Sequence, residues 1–543
     1  MADGFDLRDE PWIPVRWADG ASSRCGLREL FHRAHEIVDL ELPLPPAASG
    51  LLHILAAMTA RIARDGEGVR LDDEDAAEEV ATWLEVRQEV LAAGRFDAKA
   101  VDVYFDEEVP EGRFDLFDPQ RPFLQDPRLA LQCTDAQGKP NPSGVNKLVF
   151  GRPTGVNGAV LFGHFTDGAP VAVPAAEAAW HLIAQLYYGP AGQCTPRRIT
   201  EERTGNGDAG PLRKAVSYYA WGHDLFTSLV LAVPVPDTGT AAEESDECPW
   251  ESGDLPDPLA SPEELSWPGR LLTGRFRHAV LLVPDEDRTS VVDAYITWST
   301  HGPKPDVRDP YVILDRGKDG QLRLREADGA RALWRDLDAL LLMDGSHAAL
   351  RPHSLSTLPP SLRGCLSVRA YGFHQDGKQT DTTWFEATTP AVLQWQEEVD
   401  PQMARHLARC HQAAEDVSEA LKRAARLAWN LATNASATAA PATESGKRRR
   451  KQKPGPWAEA ALGRYWPAAE QEFWQLAKPE RCDTPPVPPL VQAALTALDD
   501  AIGVANRADI RVARARSRAR AYLRAALRNA SQPTTESSRD SRP

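Results

Sequence analysis

Residues 414–434 have the sequence AEDVSEALKRAARLAWNLATN, which is rich in alanine and leucine at helical spacing and carries no strand signal. The same character holds from about residue 390 onward, whereas strand signals are frequent before that point. Four helices of this kind predict an antiparallel four-helix bundle over residues 391–530. The helices are predicted over residues 391–413, 414–434, 457–477 and 488–529.

Two polar segments accompany the predicted bundle. Residues 435–456, between the second and third helices, are rich in small and polar residues and predict a mobile loop. This loop carries the basic run Lys447–Lys451, followed by Lys453. Such a run suits contact with phosphates and is equally typical of a solvated loop, so both interpretations stay open. Residues 531–543 are polar and predict a disordered tail.

Residues 1–390 mix helical and strand patterns and predict a large α+β domain ahead of the bundle. Asp376-Gly377 is a strong signal for a hairpin turn. Gly189-Pro190 predicts a sharp helix stop, with the glycine in a left-handed cap. The predicted elements of this domain are helices over 47–64, 75–94 and 175–188, strands over 279–283 and 311–314, and a hairpin over 365–386.

The composition is that of a soluble globular protein of two to four domains. The chain has 543 residues, of which 42% are hydrophobic and 26% charged, with a net charge of −16. Net acidity argues against a general nucleic-acid coat but allows local basic patches. Seven cysteines without a C-x-x-C pair indicate reduced thiols. We see no signal peptide and no apolar run of membrane-spanning length, so we expect a cytoplasmic protein without a membrane partner.

A search for catalytic chemistry finds no constellation that predicts an enzyme. The sequence GNGDAG at residues 205–210 matches G-x-G-x-x-G, but polar residues precede it where an apolar strand is needed, which favours a flexible loop. His406 and Cys410 lie four residues apart on a predicted helix and would bind a metal only if a third ligand converged on them. We therefore expect no catalytic residue, no metal and no cofactor.

The last predicted helix is rich in arginine, and Asp509 is the only acid between Arg507 and Arg528. Like charges at this density repel one another unless something acidic lies opposite them. The partner is either nucleic acid or acidic residues of the other helices, and the sequence leaves both open. One stripe contains Arg507, Arg511, Arg514 and Arg518, and the neighbouring face contains Arg516, Arg520, Arg524 and Arg528.

Five different short motifs follow one another along the chain in a specific order and spacing. They are PWIPV at 11–15, QRPFLQ at 120–125, NKL at 146–148, TGVNGAVLF at 154–162 and GPAG at 189–192. Together they resemble the large-subunit family, CasA type, of the type I-E CRISPR Cascade surveillance complex. The resemblance covers most of residues 1–390 in motif order and residues 390–530 in architecture.

The resemblance implies an α+β N-terminal domain, a C-terminal four-helix bundle and no catalytic activity. It implies a subunit of a crRNA-guided antiviral complex that recognises the protospacer-adjacent motif in duplex DNA, opens the first base pairs and helps to recruit a nuclease-helicase. The implied partners are the backbone, small and crRNA-capping subunits of Cascade, the crRNA 5′ end, double-stranded target DNA and the nuclease-helicase.

The resemblance also implies which residues contact DNA. The family's glycine-rich loop approaches the minor groove, where small residues let the backbone come close to base edges. A hairpin tip containing a glutamine acts as a wedge that splits the duplex, a further loop contacts the guide end, and a lysine reaches the motif. The corresponding residues are Gly189, Pro190, Ala191, Gly192 and Gln193 for the glycine loop, Gln375 or Gln379 with Lys378 for the wedge, Lys147, Arg152 and Asn157 for the guide-end loop, and Lys304 for the lysine.

Two alternative functions stand beside this one. A soluble enzyme with a helical dimerisation domain would use the GNGDAG segment, and a scaffold that binds only protein would use the bundle. Turn chemistry alone also accounts for Gly189-Pro190 and Asp376-Gly377. A steep loss of affinity with rising salt would distinguish a DNA-binding protein from both alternatives.

Overall fold

The chain folds into two compact units of different character. The first unit, Met1–Leu333 with Ala348–Gln394, contains all the described strands. The second unit, Trp334–His347 with Trp395–Pro543, is helical in its described part. The mixed α+β class with a C-terminal helical region is thereby confirmed. The computed structural model describes residues 4–64, 76–154, 164–201, 203–236, 246–262, 265–304, 308–343, 349–376, 380–433, 455–503 and 509–530.

Fourteen α-helices are described, and several follow the predicted bounds closely. They are α1 (Leu27–His32), α2 (Pro45–Arg64), α3 (Ala76–Ala93), α4 (Ala98–Val103), α5 (Leu129–Gln132), α6 (Val145–Leu148), α7 (Ala175–Tyr188), α8 (Leu225–Ala232), α9 (Gly269–Thr273), α10 (Leu337–Leu341), α11 (Pro401–Thr433), α12 (Pro456–Leu476), α13 (Val487–Gly503) and α14 (Ile510–Ala530).

The described strands form four three-stranded sheets and one two-stranded ribbon. The orders are β2-β1-β3, β4-β9-β8, β14-β13-β7 and β11-β10-β12, with the ribbon β5-β6. The strands are β1 (Ile13–Trp17), β2 (Ser22–Cys25), β3 (Ile37–Leu40), β4 (Val173–Pro174), β5 (Gly192–Arg198), β6 (Arg203–Gly207), β7 (Val216–Trp221), β8 (His278–Pro284), β9 (Ser290–Trp298), β10 (Leu314–Arg316), β11 (Leu322–Leu324), β12 (Ala349–Leu350), β13 (Ser367–Asp376) and β14 (Thr380–Thr388).

Helix α2 lies in the core of the first unit, where it packs against α7, α8, α9 and β13. Its segment Pro45–Ala63 is, by length and composition, apolar enough to cross a membrane. The expectation that the chain contains no apolar run of membrane-spanning length is therefore wrong. Within the structure, however, 89% of that window is buried. Burial on all sides is typical of the core helix of a globular unit.

The sheet β14-β13-β7 confirms the predicted hairpin and adds a third strand to it. β13 pairs with β14 from Arg369 to Asp376, with a register shift after His374. On its other edge β13 pairs with β7 only as far as Gly372. The last four residues of β13 and their partners on β14 therefore extend beyond the third strand as a two-stranded projection.

Two predictions for the first unit are corrected. Residues 311–314 form no continuous strand: Ser217 makes an isolated bridge to Val312, and only Leu314 begins a strand. The side chain of Tyr311 is buried and its hydroxyl donates to the carbonyl of Ala232 at 2.6 Å, which explains the apolar character of this run without a sheet. The GNGDAG segment is no free loop, because its first three residues belong to β6.

The second unit contains four long helices with different boundaries from those predicted. The helix predicted over 391–413 begins only at Pro401, and it continues without a break through the helix predicted over 414–434 as α11. The helix predicted over 488–529 is two helices, α13 and α14. Asp400 caps α11 by accepting from the backbone N–H of Met403 at 2.9 Å, and Pro401 occupies the first turn. The antiparallel bundle itself stays a prediction.

The core of the second unit combines side chains of the long helices with side chains of the short segment 334–347. Helix α11 contacts α12, α13 and α14, and the side chain of Tyr465 on α12 donates to the carbonyl of Ala414 at 3.0 Å. The ring of Trp334, from the short segment 334–347, packs at a tilt against Phe473 with ring centroids 4.6 Å apart. Arg335 beside it forms an ion pair with Glu415 at 2.7 Å. The short segment thus joins helices that lie far from it in sequence.

The packing of α2 against α7 generates a stability prediction. A Cβ at Gly50 would lie 2.6 Å from Ile183 Cγ2 and 2.7 Å from Tyr187 Cδ2, so Gly50→Ala is expected to destabilise the first unit by roughly 1–3 kcal/mol. Urea denaturation followed by tryptophan fluorescence measures the effect. The matched control is Gly463→Ala in α12, where nothing lies within 4 Å and the same substitution is expected to stabilise the helix by up to about 1 kcal/mol. Equal midpoints for the two variants would contradict the prediction.

Candidate nucleic-acid interface

Residues Gly189–Gln193, which we call the α7 corner, lead from helix α7 into strand β5. Helix α7 is buried except at Glu177 and His181, whereas Pro190, Ala191 and Gln193 are exposed. The predicted glycine loop is therefore a short connection followed by the first residues of the ribbon β5-β6. Gly192 and Gln193 pair with Gly207 and Asn206 of β6.

The two glycines of the α7 corner are required for different reasons. Gly189 has φ −54° and ψ 145°, so the predicted left-handed cap is wrong. A Cβ on Gly189 would lie 2.5 Å from the carbonyl oxygen of Gln185 and 2.6 Å from the ring of His278, so lack of space demands glycine there. Gly192 has φ +116°, a conformation that side-chain-bearing residues rarely adopt.

Four successive main-chain carbonyls at the end of α7 and the start of the α7 corner all accept hydrogen bonds. Carbonyls at a helix C-terminus have no partner within the helix and must find one elsewhere. The donors are Leu212 N to Tyr187 O at 3.0 Å, Arg213 Nη1 to Tyr188 O at 2.6 Å, Gly210 N to Gly189 O at 2.9 Å and His278 Nε2 to Pro190 O at 3.1 Å. The position of the α7 corner is therefore specified by the segment 210–213 and by β8.

His278 is the buried support beneath the α7 corner, with 4% of its surface exposed. Burial lowers its pKa to about 4, and the nearby charges of Arg213 and Lys147 act in the same direction. Because a carbonyl oxygen only accepts hydrogen bonds, the proton of the neutral ring lies on Nε2. The other ring nitrogen, Nδ1, has no hydrogen-bond partner in the described part of the chain.

Two predicted cations lie on the approach to α7. The carbonyl of Lys147 in α6 accepts from Gln185 Nε2 of α7 at 2.8 Å, and burial lowers the pKa of the lysine amine. Arg152 donates to the carbonyl of Val171 at 2.7 Å, stacks on Phe165 at 4.3 Å, and also has its pKa lowered by burial. Among the described residues, no carboxylate lies within ion-pair distance of either cation.

The remaining predicted contacts fall partly outside the described residues. Lys304 is exposed, and the carbonyls of Gly302 and Pro303 just before it accept hydrogen bonds from Arg277, both at 2.8 Å. Residues that lie outside the described ranges are Asn157, Lys378 and Gln379, together with the basic run 447–453 and Arg507.

Gln375 does not lie at the hairpin tip, where the wedge assignment had placed it. It is 9% exposed and pairs across the hairpin with Asp381, and its side-chain oxygen accepts from Arg213 Nε at 3.2 Å. The described register ends at the pair Asp376–Thr380, and residues 377–379 between them lie outside the described ranges. Gln379 and Lys378 are therefore the candidates that remain for the tip.

Arg213 is the residue of this region that sequence analysis missed. Its side chain is 3% exposed, forms an ion pair with Asp381 and lies over the ring of Phe373 at 4.4 Å. Burial lowers the pKa of Arg213, and the charge of Asp381 partly offsets that effect. No motif surrounds Arg213 in the sequence, and only the fold reveals that it joins α7 to the hairpin.

The structure shows what the His406–Cys410 pair and the arginine-rich helix α14 contact. His406 hydrogen bonds through Nε2 to the carbonyl of Leu476 at 3.0 Å, and Cys410 Sγ lies 3.5 Å from the same nitrogen, so both serve the packing of the second unit. On α14, Arg520 forms an ion pair with Asp499, as the internal alternative predicts. Five arginines of α14 are exposed and have no ion pair with any described residue: Arg511, Arg514, Arg516, Arg518 and Arg524.

The buried neutral His278 generates a pH prediction. Its pKa is lowered from 6.5 to about 4 in the folded protein, so the unfolded chain binds more protons between these values. The free energy of unfolding therefore falls as the pH drops through this window. In the variant His278→Gln, whose amide can still donate to Pro190, the loss between pH 7 and pH 5 is expected to shrink by roughly 1–2 kcal/mol.

Urea denaturation at the two pH values measures this difference. The exposed His164 provides the matched control, since His164→Gln removes an imidazole that is not buried. An identical pH dependence in the wild type and in His278→Gln would show that His278 is not a buried neutral group.

Comparison with known proteins finds relatives over nearly the whole chain. The family model of CRISPR-associated protein Cse1 (CRISPR_cse1) matches residues 6–519. A CRISPR-associated protein CasA/Cse1 of Thermus thermophilus is 26% identical over 439 residues, which are 78% of this chain and 77% of that protein.

Solved structures agree with the family model. A chain of a CRISPR RNA-guided surveillance complex superposes with a TM-score of 0.80 at 38% identity, covering 96% of this chain and 99% of the other. The CRISPR-associated protein Cse1 from Acidimicrobium ferrooxidans shares the fold, with a TM-score of 0.70 at 22% identity and coverage of 98% and 99%. These matches confirm the resemblance inferred from the five motifs: the chain belongs to the Cse1 family of CRISPR-associated proteins.

Proposed function

We propose that this chain is a non-catalytic subunit of a crRNA-guided antiviral surveillance complex. In that complex it recognises the protospacer-adjacent motif in duplex DNA, starts strand opening and helps to recruit the nuclease-helicase. The observation that carries the proposal is the α7 corner, an exposed connection of small residues on a rigidly bonded base. The similarity of the whole chain to a chain of a surveillance complex supports the setting.

The chemistry of the α7 corner suits the minor groove of DNA. Pro190, Ala191 and Gly192 carry little side-chain bulk, so the backbone can come close to base edges. Gln193 is exposed and offers both a donor and an acceptor, which matches the acceptors common to all base pairs and the guanine amino group. Because the minor groove distinguishes base pairs poorly, such a surface accepts several related motifs.

The nearby cations supply contact with the phosphates. Lys147, Arg152 and Lys304 lack carboxylate partners among the described residues and can neutralise DNA phosphates, which position a protein without reading sequence. Asn157 would contribute on the guide-end loop. The net charge of −16 opposes binding elsewhere on the surface, so DNA binding is expected to be local and sensitive to salt.

Strand opening is assigned to the tip of the β13-β14 hairpin. Unstacking one base step costs a few kcal/mol, so a wedge must be held on a rigid base while it is inserted. β13 has that base as far as Gly372, because β7 and β14 pair with its two edges up to that residue. Gln379 and Lys378 are the residues proposed to enter the duplex.

The proposed partners follow from the same setting. They are the backbone, small and crRNA-capping subunits of Cascade, the crRNA 5′ end, the target duplex and the nuclease-helicase, all meeting the chain in the cytoplasm. The five exposed arginines of α14 make the second unit a further surface for acidic partners.

The substitution Gly192→Asp tests motif recognition. An aspartate at φ +116° is strained and places a negative charge on the surface that would face DNA, so motif-dependent affinity of the assembled complex is expected to fall at least about tenfold. An electrophoretic shift with a guide-matched duplex measures it, using the co-expressed crRNA complex with and without this chain.

The matched control is Gly320→Asp, which places the same side chain at a positive φ of 78° where nothing lies within 4 Å. This control is expected to bind like the wild type. If Gly192→Asp binds as tightly as Gly320→Asp, the α7 corner is not the recognition surface. If the complex binds equally well without this chain, the whole proposed function fails.

A further inference from the structure

We propose that Arg213 is a positioning residue that couples motif recognition to strand opening, by holding the outer end of the β13-β14 hairpin, at Gln375 and Asp381, in a fixed position relative to the α7 corner. This inference rests on the proposed function. Arg213 itself is not proposed to touch DNA. Its buried guanidinium links the α7 corner to the β13-β14 hairpin, the two elements that are proposed to contact DNA.

The link is direct on both sides. Nη1 of Arg213 donates to the carbonyl of Tyr188, the last residue of α7, at 2.6 Å. Nε donates to Gln375 on β13 at 3.2 Å, and Nη2 forms an ion pair with Asp381 on β14. Tyr188 directly precedes the α7 corner, and Gln375 and Asp381 lie within the last two described pairs of the β13-β14 hairpin.

Aromatic packing runs alongside the hydrogen bonds. The guanidinium of Arg213 lies 4.4 Å from the ring of Phe373, and Phe373 stacks on Tyr188 with centroids 5.7 Å apart and an interplanar angle of 28°. Tyr188 and Phe373 thus contact each other as well as the same arginine. A displacement of either element must move the shared cluster, because packed interiors deform little.

The outer part of the β13-β14 hairpin needs the support that Arg213 gives. Beyond Gly372, β13 has no further ladder pair with β7: the backbone N–H of Phe373 still donates to the carbonyl of Ala215 at 3.3 Å, and the following residues pair with β14. A two-stranded hairpin without further support is marginally stable in water. Among the described residues, Arg213 holds this projection from α7, and the backbone N–H of Gly329 donates to His374 at 3.2 Å.

Arg213 also suits the task by its chemistry. Its planar fork satisfies three acceptors of different origin at once: a main-chain carbonyl, an amide oxygen and a carboxylate. A lysine keeps the charge but presents a single nitrogen, so it cannot hold α7 and both strands in one geometry. The substitution Arg213→Lys therefore separates charge from geometry.

The test uses the assembled crRNA complex and separates binding from opening. Binding is measured by the electrophoretic shift of a motif-containing duplex. Opening is measured by the fluorescence rise of 2-aminopurine placed in the first base pairs next to the motif. A second duplex carries mismatches there, so that those pairs are open before the complex binds.

We expect Asp381→Asn to slow opening of the intact duplex at least about tenfold, while motif-dependent binding changes by less than about threefold. On the pre-opened duplex Asp381→Asn is expected to form the guide–target hybrid at the wild-type rate. Arg213→Lys is expected to slow opening to a similar degree, and its binding is expected to weaken as well, because it also changes the bond to Tyr188 just before the α7 corner. A general loss of structure would not be rescued by opening the DNA in advance, so the rescue identifies a positioning role.

The matched control is Asp315→Asn. Asp315 pairs with Arg325 at 2.6 Å, and the two side chains are 47% and 14% exposed, compared with 40% and 3% for Asp381 and Arg213. Asp315→Asn is expected to open DNA like the wild type. Asp381→Asn keeps a neutral acceptor of the same shape, so it carries the test even if Arg213→Lys fails to fold.

Three outcomes would overturn the inference: opening of the intact duplex by Asp381→Asn at the wild-type rate, equal slowing by Asp315→Asn, or no rescue on the pre-opened duplex. The proposed function has its own readout in the same experiment. If the wild-type complex shows no motif-dependent opening, the proposed function fails and the coupling falls with it. If the wild type opens DNA and Asp381→Asn does so equally well, only the coupling is lost.

Discussion

The first unit depends on how closely its neighbours approach helix α7. Gly50 and Gly210 both face α7 at positions where one added carbon would come within 2.6 Å of its atoms. Interiors this tightly packed leave a helix no room to slide or rotate. The α7 corner is therefore an exposed surface on a fixed support, which suits the proposed contact with groove edges.

The polar groups around α7 follow from the same constraint. The carbonyls at its end are satisfied by backbone N–H groups, by neutral His278 and by Arg213, so the helix end needs no water to satisfy it. Beside α7, the backbone of Lys147 accepts from Gln185, and no described carboxylate pairs with its amine. An acidic protein can keep a local positive potential where a cation is left without a carboxylate partner.

Local sequence signals predicted the elements, and tertiary contacts decided what the signals left open. Apolar periodicity and Gly189-Pro190 set the bounds of α7 correctly, because both act within a few residues. The conformation of Gly189 was mispredicted because the ring of His278, 89 residues away, occupies the space beside it. Arg213 was missed for the same reason: its three acceptors come from three separate segments. The position of Gln375 depended on the hairpin register, which the turn signal alone does not determine.

Helix α11 continues without a break through the point where two helices were predicted, and its 33 residues make it roughly 50 Å long. Two shorter helices joined by a turn could flex independently at the joint. A single helix in contact with α12, α13 and α14 has no such joint in its described span. The separation between Pro401 and Thr433 is therefore set by the helical rise itself, and the three neighbouring helices share one common spacer.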